Sequence, residues 1–90
     1  MARRMDAQAV ECAHLLGQNL ADLREKRDHS QILTAERAGL HRTEVSLIER
    51  GQRVPQLDTL VKLAGAVEVD PCTLLAGLAW DLAWLKGASG

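Results

Sequence analysis

The sequence predicts an all-α protein in which five helices pack as one bundle. Apolar residues recur at spacings of three and four along most of its 90 residues, as they do on the buried face of an amphipathic helix. Gly39 separates two short helical patterns, and a glycine turn between two short helices is the sequence form of a helix-turn-helix. No stretch shows the alternation of a strand, and the length suits one small domain.

The first helix is predicted to begin after Asp6, whose carboxylate can cap the first turn. Its inward-facing residues are Val10, Ala13, Leu16, Leu20 and Leu23. Gly17 interrupts this pattern at a cost of about 1 kcal/mol relative to alanine. We therefore expect the helix to be split, with its firm part from about Leu16 to Lys26.

Two short helices are predicted between Ser30 and Gly51. Ser30 can cap the first of them, and Gly39 can end it in the left-handed conformation that glycine adopts without strain. The residues predicted to face inward are Ala35, Ala38, Val45 and Ile48. These two helices form the candidate helix-turn-helix motif.

Prolines mark the start of the last two helices. Pro55 precedes a fourth helix whose apolar residues run from Leu57 to Val67. Asp70 and Pro71 suit the N-cap and the first position of a fifth helix. The apolar pattern then continues through Leu74, Leu75, Leu78, Leu82 and Leu85. We expect this final helix to extend beyond the bundle.

Composition limits the functional classes. Eleven Lys/Arg and 12 Asp/Glu give a net charge of −1, unlike that of a strong non-specific nucleic-acid binder. Cys12 and Cys72 belong to no metal-binding pattern, so we expect reduced, buried thiols and no metal. No nucleophile–base pair or phosphate-binding loop is visible, so we expect neither an enzyme nor a bound cofactor. The start lacks the apolar run of a secretory signal and no segment could span a bilayer, so we expect a cytoplasmic protein.

The segment from about Leu16 to Leu78 resembles the Cro/C1-type (XRE family) helix-turn-helix DNA-binding domain of small bacterial and phage transcription regulators. The matching residues include Leu20, Arg24, Gln31, Ala35, Gly39, Val45, Ile48, Glu49, Gly51, Pro55, Leu60, Leu63, Ala64 and Leu74. The resemblance implies a five-helix, lambda-repressor-like domain, and the apolar pattern that continues after Leu78 predicts that its C-terminal helix is extended. The resemblance divides the chain into an N-terminal helical extension (1–15), the helix-turn-helix domain (16–78) and a C-terminal extension (79–90) for dimerisation or for covering the core.

The resemblance also implies which residues meet DNA. The base-contacting positions are Arg42, Thr43, Glu44 and Leu47. The phosphate-contacting positions are Gln31, His41, Arg50, Gln52 and Arg53. An arginine can bind guanine through two hydrogen bonds, which are worth about 1–3 kcal/mol of discrimination. The carboxylate of Glu44 is repelled by phosphates, so it either accepts a hydrogen bond from cytosine or pairs with a neighbouring arginine.

Arg24 and Glu49 match a family pair that joins the first helix to the end of the third. The resemblance implies that this pair fixes the angle of the third helix, which reads the DNA. Its contribution would be to specificity more than to stability.

The second helix departs from the family pattern. Thr34 stands where a core leucine is usual, while Ile32 and Leu33 occupy positions that are normally polar. Either the helix is rotated so that Leu33 fills the core, or Ile32 and Leu33 lie on the surface. An exposed pair of this kind could contact another protein.

The C-terminal extension carries both tryptophans of the chain. Apolar residues occur on more than one side of its predicted helix. One side can cover the bundle, and a two-fold partner is the simplest cover for the other. The residues predicted to form this dimer interface are Leu78, Trp80, Leu82 and Trp84. In the alternative, the tryptophans fold back onto the first helix and cap a thin core.

These features predict a sequence-specific DNA-binding transcription regulator. It would bind an inverted repeat in double-stranded DNA as a homodimer, with its reading helices about 34 Å apart. A phage-type repressor, an antitoxin and a restriction–modification controller protein remain open, and residues 36–51 most resemble a controller or a small repressor. The alternative is a protein–protein interaction module of the same fold, an antitoxin or adaptor that has weak or lost DNA reading and binds a toxin or other protein.

Overall fold

The computed structural model describes residues 6–78, and these residues form five α-helices. They are α1 (Ala7–Lys26), α2 (Gln31–Ala38), α3 (Arg42–Glu49), α4 (Leu57–Ala66) and α5 (Pro71–Leu74). No strand occurs among the described residues. The prediction of an all-α, five-helix fold is therefore confirmed. None of the described helices is both long and apolar enough to cross a membrane.

α1 is one unbroken helix of 20 residues, so the predicted split at Gly17 is wrong. Asp6 caps it as predicted, because its Oδ1 accepts a hydrogen bond from the backbone N–H of Ala9 at 2.8 Å. Gly17 is buried against the end of α3. A Cβ atom at Gly17 would lie 2.6 Å from the carbonyl oxygen of Glu49 and would also collide with that of Ile48. The glycine therefore allows two helix backbones to approach, and this packing outweighs its low helix propensity.

Aliphatic side chains from all five helices form the core. Its members are Leu16, Leu20, Ala35, Ala38, Val45, Ile48, Leu60, Leu63, Ala64, Ala66, Val67 and Leu74. The inward-facing residues predicted for α2 and α3 are all among them. α2 packs against both α3 and α4, while α1 packs against α3 and α5. The two helices of the predicted motif are thus held by neighbours on both sides.

α2 buries Thr34 completely, with 0% of the residue exposed. Ile32 is 56% exposed and Leu33 is half-buried, so the helix is not rotated to place Leu33 in the core. The Ser30 hydroxyl caps the helix by accepting from the Leu33 N–H at 3.0 Å, which fixes this register. The Thr34 hydroxyl oxygen has no hydrogen-bond partner among residues 6–78. A polar side chain therefore stands at a core position.

The turn between α2 and α3 has the predicted form. Gly39 adopts a left-handed conformation with φ of 70° and follows the last residue of α2. The N–H of Leu40 donates to the carbonyl of Ala35 at 2.9 Å, which satisfies an acceptor at the end of the helix. α3 begins two residues later, so the prediction of a short glycine turn is confirmed.

α5 is shorter than predicted and ends at Leu74. The side-chain amide of Asn19, on α1, donates to the carbonyl of Leu74 at 2.9 Å and to that of Ala76 at 2.8 Å. These bonds satisfy carbonyls at and just beyond the helix end, and Gly77 turns the chain with φ of 84°. The prediction that the fifth helix runs on unbroken past Leu78 is therefore wrong. The tail at 79–90, with Trp80, Leu82 and Trp84, lies outside the described residues.

Both cysteines are free, as predicted, but they are not buried thiols. Cys12 is half-buried and Cys72 is exposed. The reason at Cys72 is that α5 is a single short turn, which buries only Leu74. Asp70 caps this turn by accepting from the Cys72 N–H at 2.8 Å.

Candidate nucleic-acid interface

One side of α3 is anchored and the other carries polar groups. Val45 and Ile48 are 0% and 1% exposed and hold the helix on the core. The predicted contact residues at the start of α3 are His41, Arg42, Thr43, Glu44 and Leu47; the first three are exposed and the last two are half-buried. Glu44 lies in the first turn, where a carboxylate also stabilises the positive end of the helix dipole. The anchored helix therefore offers a cation and a hydroxyl at its N-terminal end.

The C-terminal end of α3 is fixed to α1 by an ion pair with two hydrogen bonds. Nε of Arg24 donates to Oε2 of Glu49 at 2.6 Å, and Nη2 donates to Oε1 at 3.0 Å. The two side chains are only 15% and 7% exposed. The hydrogen bond to Glu49 raises the pKa of Arg24 above its ordinary value. The guanidinium is therefore positively charged at physiological pH. Such a planar double contact restricts the direction of both side chains.

Two further hydrogen bonds enlarge this pair into a network. Nη1 of Arg24 donates to the backbone carbonyl of His29 at 2.9 Å. Nε2 of Gln31 donates to Oε1 of Glu49 at 3.1 Å. The network joins α1, the loop before α2, the first residue of α2 and the last residue of α3. Gln31 was predicted to bind phosphate, and its amide nitrogen has one hydrogen left for that role.

The loop after α3 carries the other predicted phosphate contacts. Arg50, Gln52 and Arg53 are exposed, and Nε of Arg50 also donates to the Ser46 carbonyl at 3.3 Å. Nη1 of Arg53 lies 4.0 Å from the Glu44 carboxylate, with both side chains partly in solvent. This loop and the start of α3 therefore form a polar surface with three arginines and one carboxylate.

Comparison with known proteins identifies this arrangement. Residues 20–74, more than half of the chain, match the helix-turn-helix family. The chain belongs to this family. The resemblance inferred from the sequence is thereby confirmed, and the matched segment includes both α2 and α3.

Restriction–modification control proteins are among the similar members of the family. Control protein C.BamHI from Bacillus amyloliquefaciens is 42% identical over 62 residues, which are 68% of this chain and 76% of that protein. The crystal structure of the restriction-modification controller protein C.AhdI from Aeromonas hydrophila has 39% identity and a TM-score of 0.68, covering 69% of this chain and 94% of that one.

Other helix-turn-helix structures are similar over more of the chain. The hypothetical transcription factor NHTF from Neisseria has 29% identity and a TM-score of 0.69, covering 96% of this chain and 93% of that one. A transcriptional regulator from Vibrio cholerae has 29% identity and a TM-score of 0.72, covering 76% of this chain and 38% of that one.

Sequence reasoning missed three residues of α1 that lie against distant parts of the fold. Gly17 was interpreted as a helix breaker, although a glycine inside a strong helical pattern also indicates close packing. Asn19 gave no signal, because the carbonyls it binds come from residues 55 and 57 positions later. His14 is in contact with Gly51 in the loop after α3, and its distance along the chain concealed this. No group of three potential metal ligands occurs within residues 6–78.

Proposed function

We propose that the protein is a sequence-specific DNA-binding transcription regulator that inserts α3 into the major groove. The observation that carries the proposal is the fixed orientation of α3. Val45 and Ile48 anchor its inner side, Glu49 ties its end to α1, and Arg42 and Thr43 stand free at its N-terminal end. A helix held in one orientation directs the same side chains at the base edges whenever it enters the major groove.

Specific reading falls mainly to Arg42 in this proposal. Its exposed guanidinium can bind guanine through two hydrogen bonds, and Thr43 can contact a thymine methyl group. Glu44 is paired with Arg53 rather than free, which supports a role in orienting that arginine. Arg50, Gln52 and Arg53 would then meet the sugar–phosphate backbone beside the groove, together with His41 and Gln31.

The net charge of −1 fits a regulator that depends on local contacts rather than on a general electrostatic attraction. We propose a controller-like role, because a control protein and a restriction-modification controller protein are similar to this chain at 42% and 39% identity. Repression and activation are both compatible with this surface.

The experiment is selection of bound duplexes from a random pool by the purified protein. We expect an enriched inverted repeat, with binding that weakens steeply as salt rises. Arg42→Ala should weaken binding to the selected duplex by about tenfold or more and relax the preference at one base pair of each half-site. Arg37→Ala is the matched control, because Arg37 is an exposed arginine on α2 outside the proposed surface. Recovery of no enriched sequence would instead favour the protein-interaction module.

We also propose that the regulator is a homodimer. Leu57 on α4 is 77% exposed and Val61, one turn later, is 49% exposed, which is unusual for large aliphatic side chains on one helix. Asp58 and Lys62 lie beside them, with Nζ of Lys62 3.8 Å from the Asp58 carboxylate. In a two-fold dimer, each of these side chains could face the oppositely charged side chain of the other subunit. Leu78, predicted for the interface, is half-buried and packs on the core.

Sedimentation of variants tests the dimer. Leu57→Glu should give a monomer, because a carboxylate would replace the most exposed apolar side chain of α4. Val10→Glu is the control, since Val10 is 49% exposed on α1. A Leu57→Glu protein that sediments like the wild type would place the contact elsewhere, including the predicted positions at Trp80, Leu82 and Trp84.

A further inference from the structure

We propose that the phosphate-binding surface continues from the α3–α4 loop onto α1, where His14 and Gln18 donate hydrogen bonds to the DNA backbone. This inference rests on the proposed DNA binding and adds a contact to it. Both residues precede the segment that matches the family, which begins at residue 20. They therefore lie on the part of α1 that the family match does not cover.

The first support is the contact between α1 and the loop. A Cβ atom at Gly51 would lie 3.1 Å from Cα of His14 and 3.5 Å from its Nδ1. Gly51 stands between Arg50 and Gln52, which are both exposed and both proposed to meet phosphate. The imidazole of His14 thus borders the same stretch of loop, and a phosphate bound there comes close to its ring.

The second support is the hydrogen-bond chemistry of the two side chains. Nε2 of His14 lies 3.2 Å from Nε2 of Gln18. An amide nitrogen can only donate, so the ring Nε2 accepts in this pair, and Nδ1 is the ring nitrogen left to carry a hydrogen. Nδ1 is the ring atom that lies near Gly51. The pair therefore offers the ring N–H at the loop and the second amide N–H of Gln18, and phosphate oxygens accept bonds from such groups.

The third support is rigidity. Gly17 lies between the two residues in sequence and is packed on the last carbonyls of α3. This contact fixes α1 relative to the reading helix, so His14 and Gln18 keep their distance from the loop. Glu11 is exposed one turn before His14, and its negative charge repels phosphate. The proposed contact surface therefore ends at His14.

Binding of a mixed-sequence DNA duplex of about 20 base pairs, measured as a function of salt, tests the inference, because phosphate contacts do not depend on sequence. His14→Lys should bind several-fold more tightly and make the slope of log K against log salt steeper by about 0.9, which is one further phosphate contact. His14→Glu should bind about tenfold more weakly. Gln18→Ala should lose about threefold.

Gln8→Lys and Gln8→Glu are the matched controls, since they change the same charge on the same helix about 9 Å further from the loop. They should alter affinity by less than about twofold in moderate salt, because screening weakens charges at that range. Equal changes in DNA affinity for substitutions at positions 8 and 14 would contradict a direct contact at His14. They would indicate a long-range electrostatic effect instead. A wild-type protein that binds neither this duplex in low salt nor any duplex from a random pool would overturn the proposed function as well. Melting curves for each variant exclude unfolding as the cause.

Discussion

Replacing Gly17 by alanine tests whether the contact between α1 and α3 sets the position of α3. The new Cβ would lie 2.6 Å from the Glu49 carbonyl oxygen and 2.9 Å from its carbon, against an ordinary carbon–oxygen contact of about 3.3 Å or more. The two helices must therefore separate by at least about 0.7 Å, because the carbonyl oxygen of Ile48 would lie closer still. Because both partners are backbone, no side chain can rotate to make room.

The cost follows from two opposing effects. Overpacking of this kind typically costs about 1–3 kcal/mol, and a rigid backbone neighbour places Gly17→Ala at the upper end. Alanine restores about 1 kcal/mol through its higher helix propensity. The net loss of about 2 kcal/mol corresponds to a fall of about 8–16 °C in melting temperature for a domain of this size.

Gly65→Ala is the matched control, because Gly65 is also helical, on α4. Among the described residues, nothing beyond its chain neighbours and its own helix backbone lies within 4 Å of an added Cβ. It should raise the melting temperature by several degrees through helix propensity alone, about 0.5–1 kcal/mol. The assay is thermal unfolding followed by circular dichroism. If Gly17→Ala melts at or above the wild-type temperature while Gly65→Ala behaves as expected, the close approach of the backbones is not what Gly17 provides.

Three further changes test other features. Glu49→Ala leaves Arg24 without its partner in a largely buried site. It should lower the free energy of unfolding by about 3 kcal/mol and make the urea transition less cooperative. An unchanged midpoint of that transition would contradict this. Thr34→Val should raise the melting temperature, because it removes a buried hydroxyl that is unpaired among the described residues, worth about 1 kcal/mol; a lower value would mean that the hydroxyl is satisfied. The hydrogen bond to Asp70 and its charge raise the pKa of the Cys72 thiol, so iodoacetamide should modify Cys72 only at higher pH than a free cysteine. Asp70→Asn keeps a capping oxygen but removes the charge, and faster modification at the same pH is the expected result.

The sequence predicted those features that depend on local patterns. The turn at Gly39, the caps at Asp6 and Ser30 and the buried faces of α2 and α3 each follow from residues a few positions apart. The family resemblance added Arg24 and Glu49, which no periodicity would have paired across 25 residues.

The errors share one physical cause, which is contact between distant segments. Helix propensity counts against Gly17, yet the carbonyls of α3 require a glycine there. The pattern of leucines continued the fifth helix, yet Asn19 on α1 binds the carbonyls at its end. Tertiary packing decided each of these against the local preference.

The network around Glu49 separates two properties that a regulator must combine. Everything that holds α3 in place lies on its inner side or at its last residue, through Val45, Ile48 and Glu49. The side chains proposed to read bases occupy other positions and take no part in that attachment. Substitutions at Arg42 or Thr43 can therefore alter which duplex is preferred while the scaffold keeps its stability. New specificities could evolve, or be transplanted from a relative, without redesign of the domain.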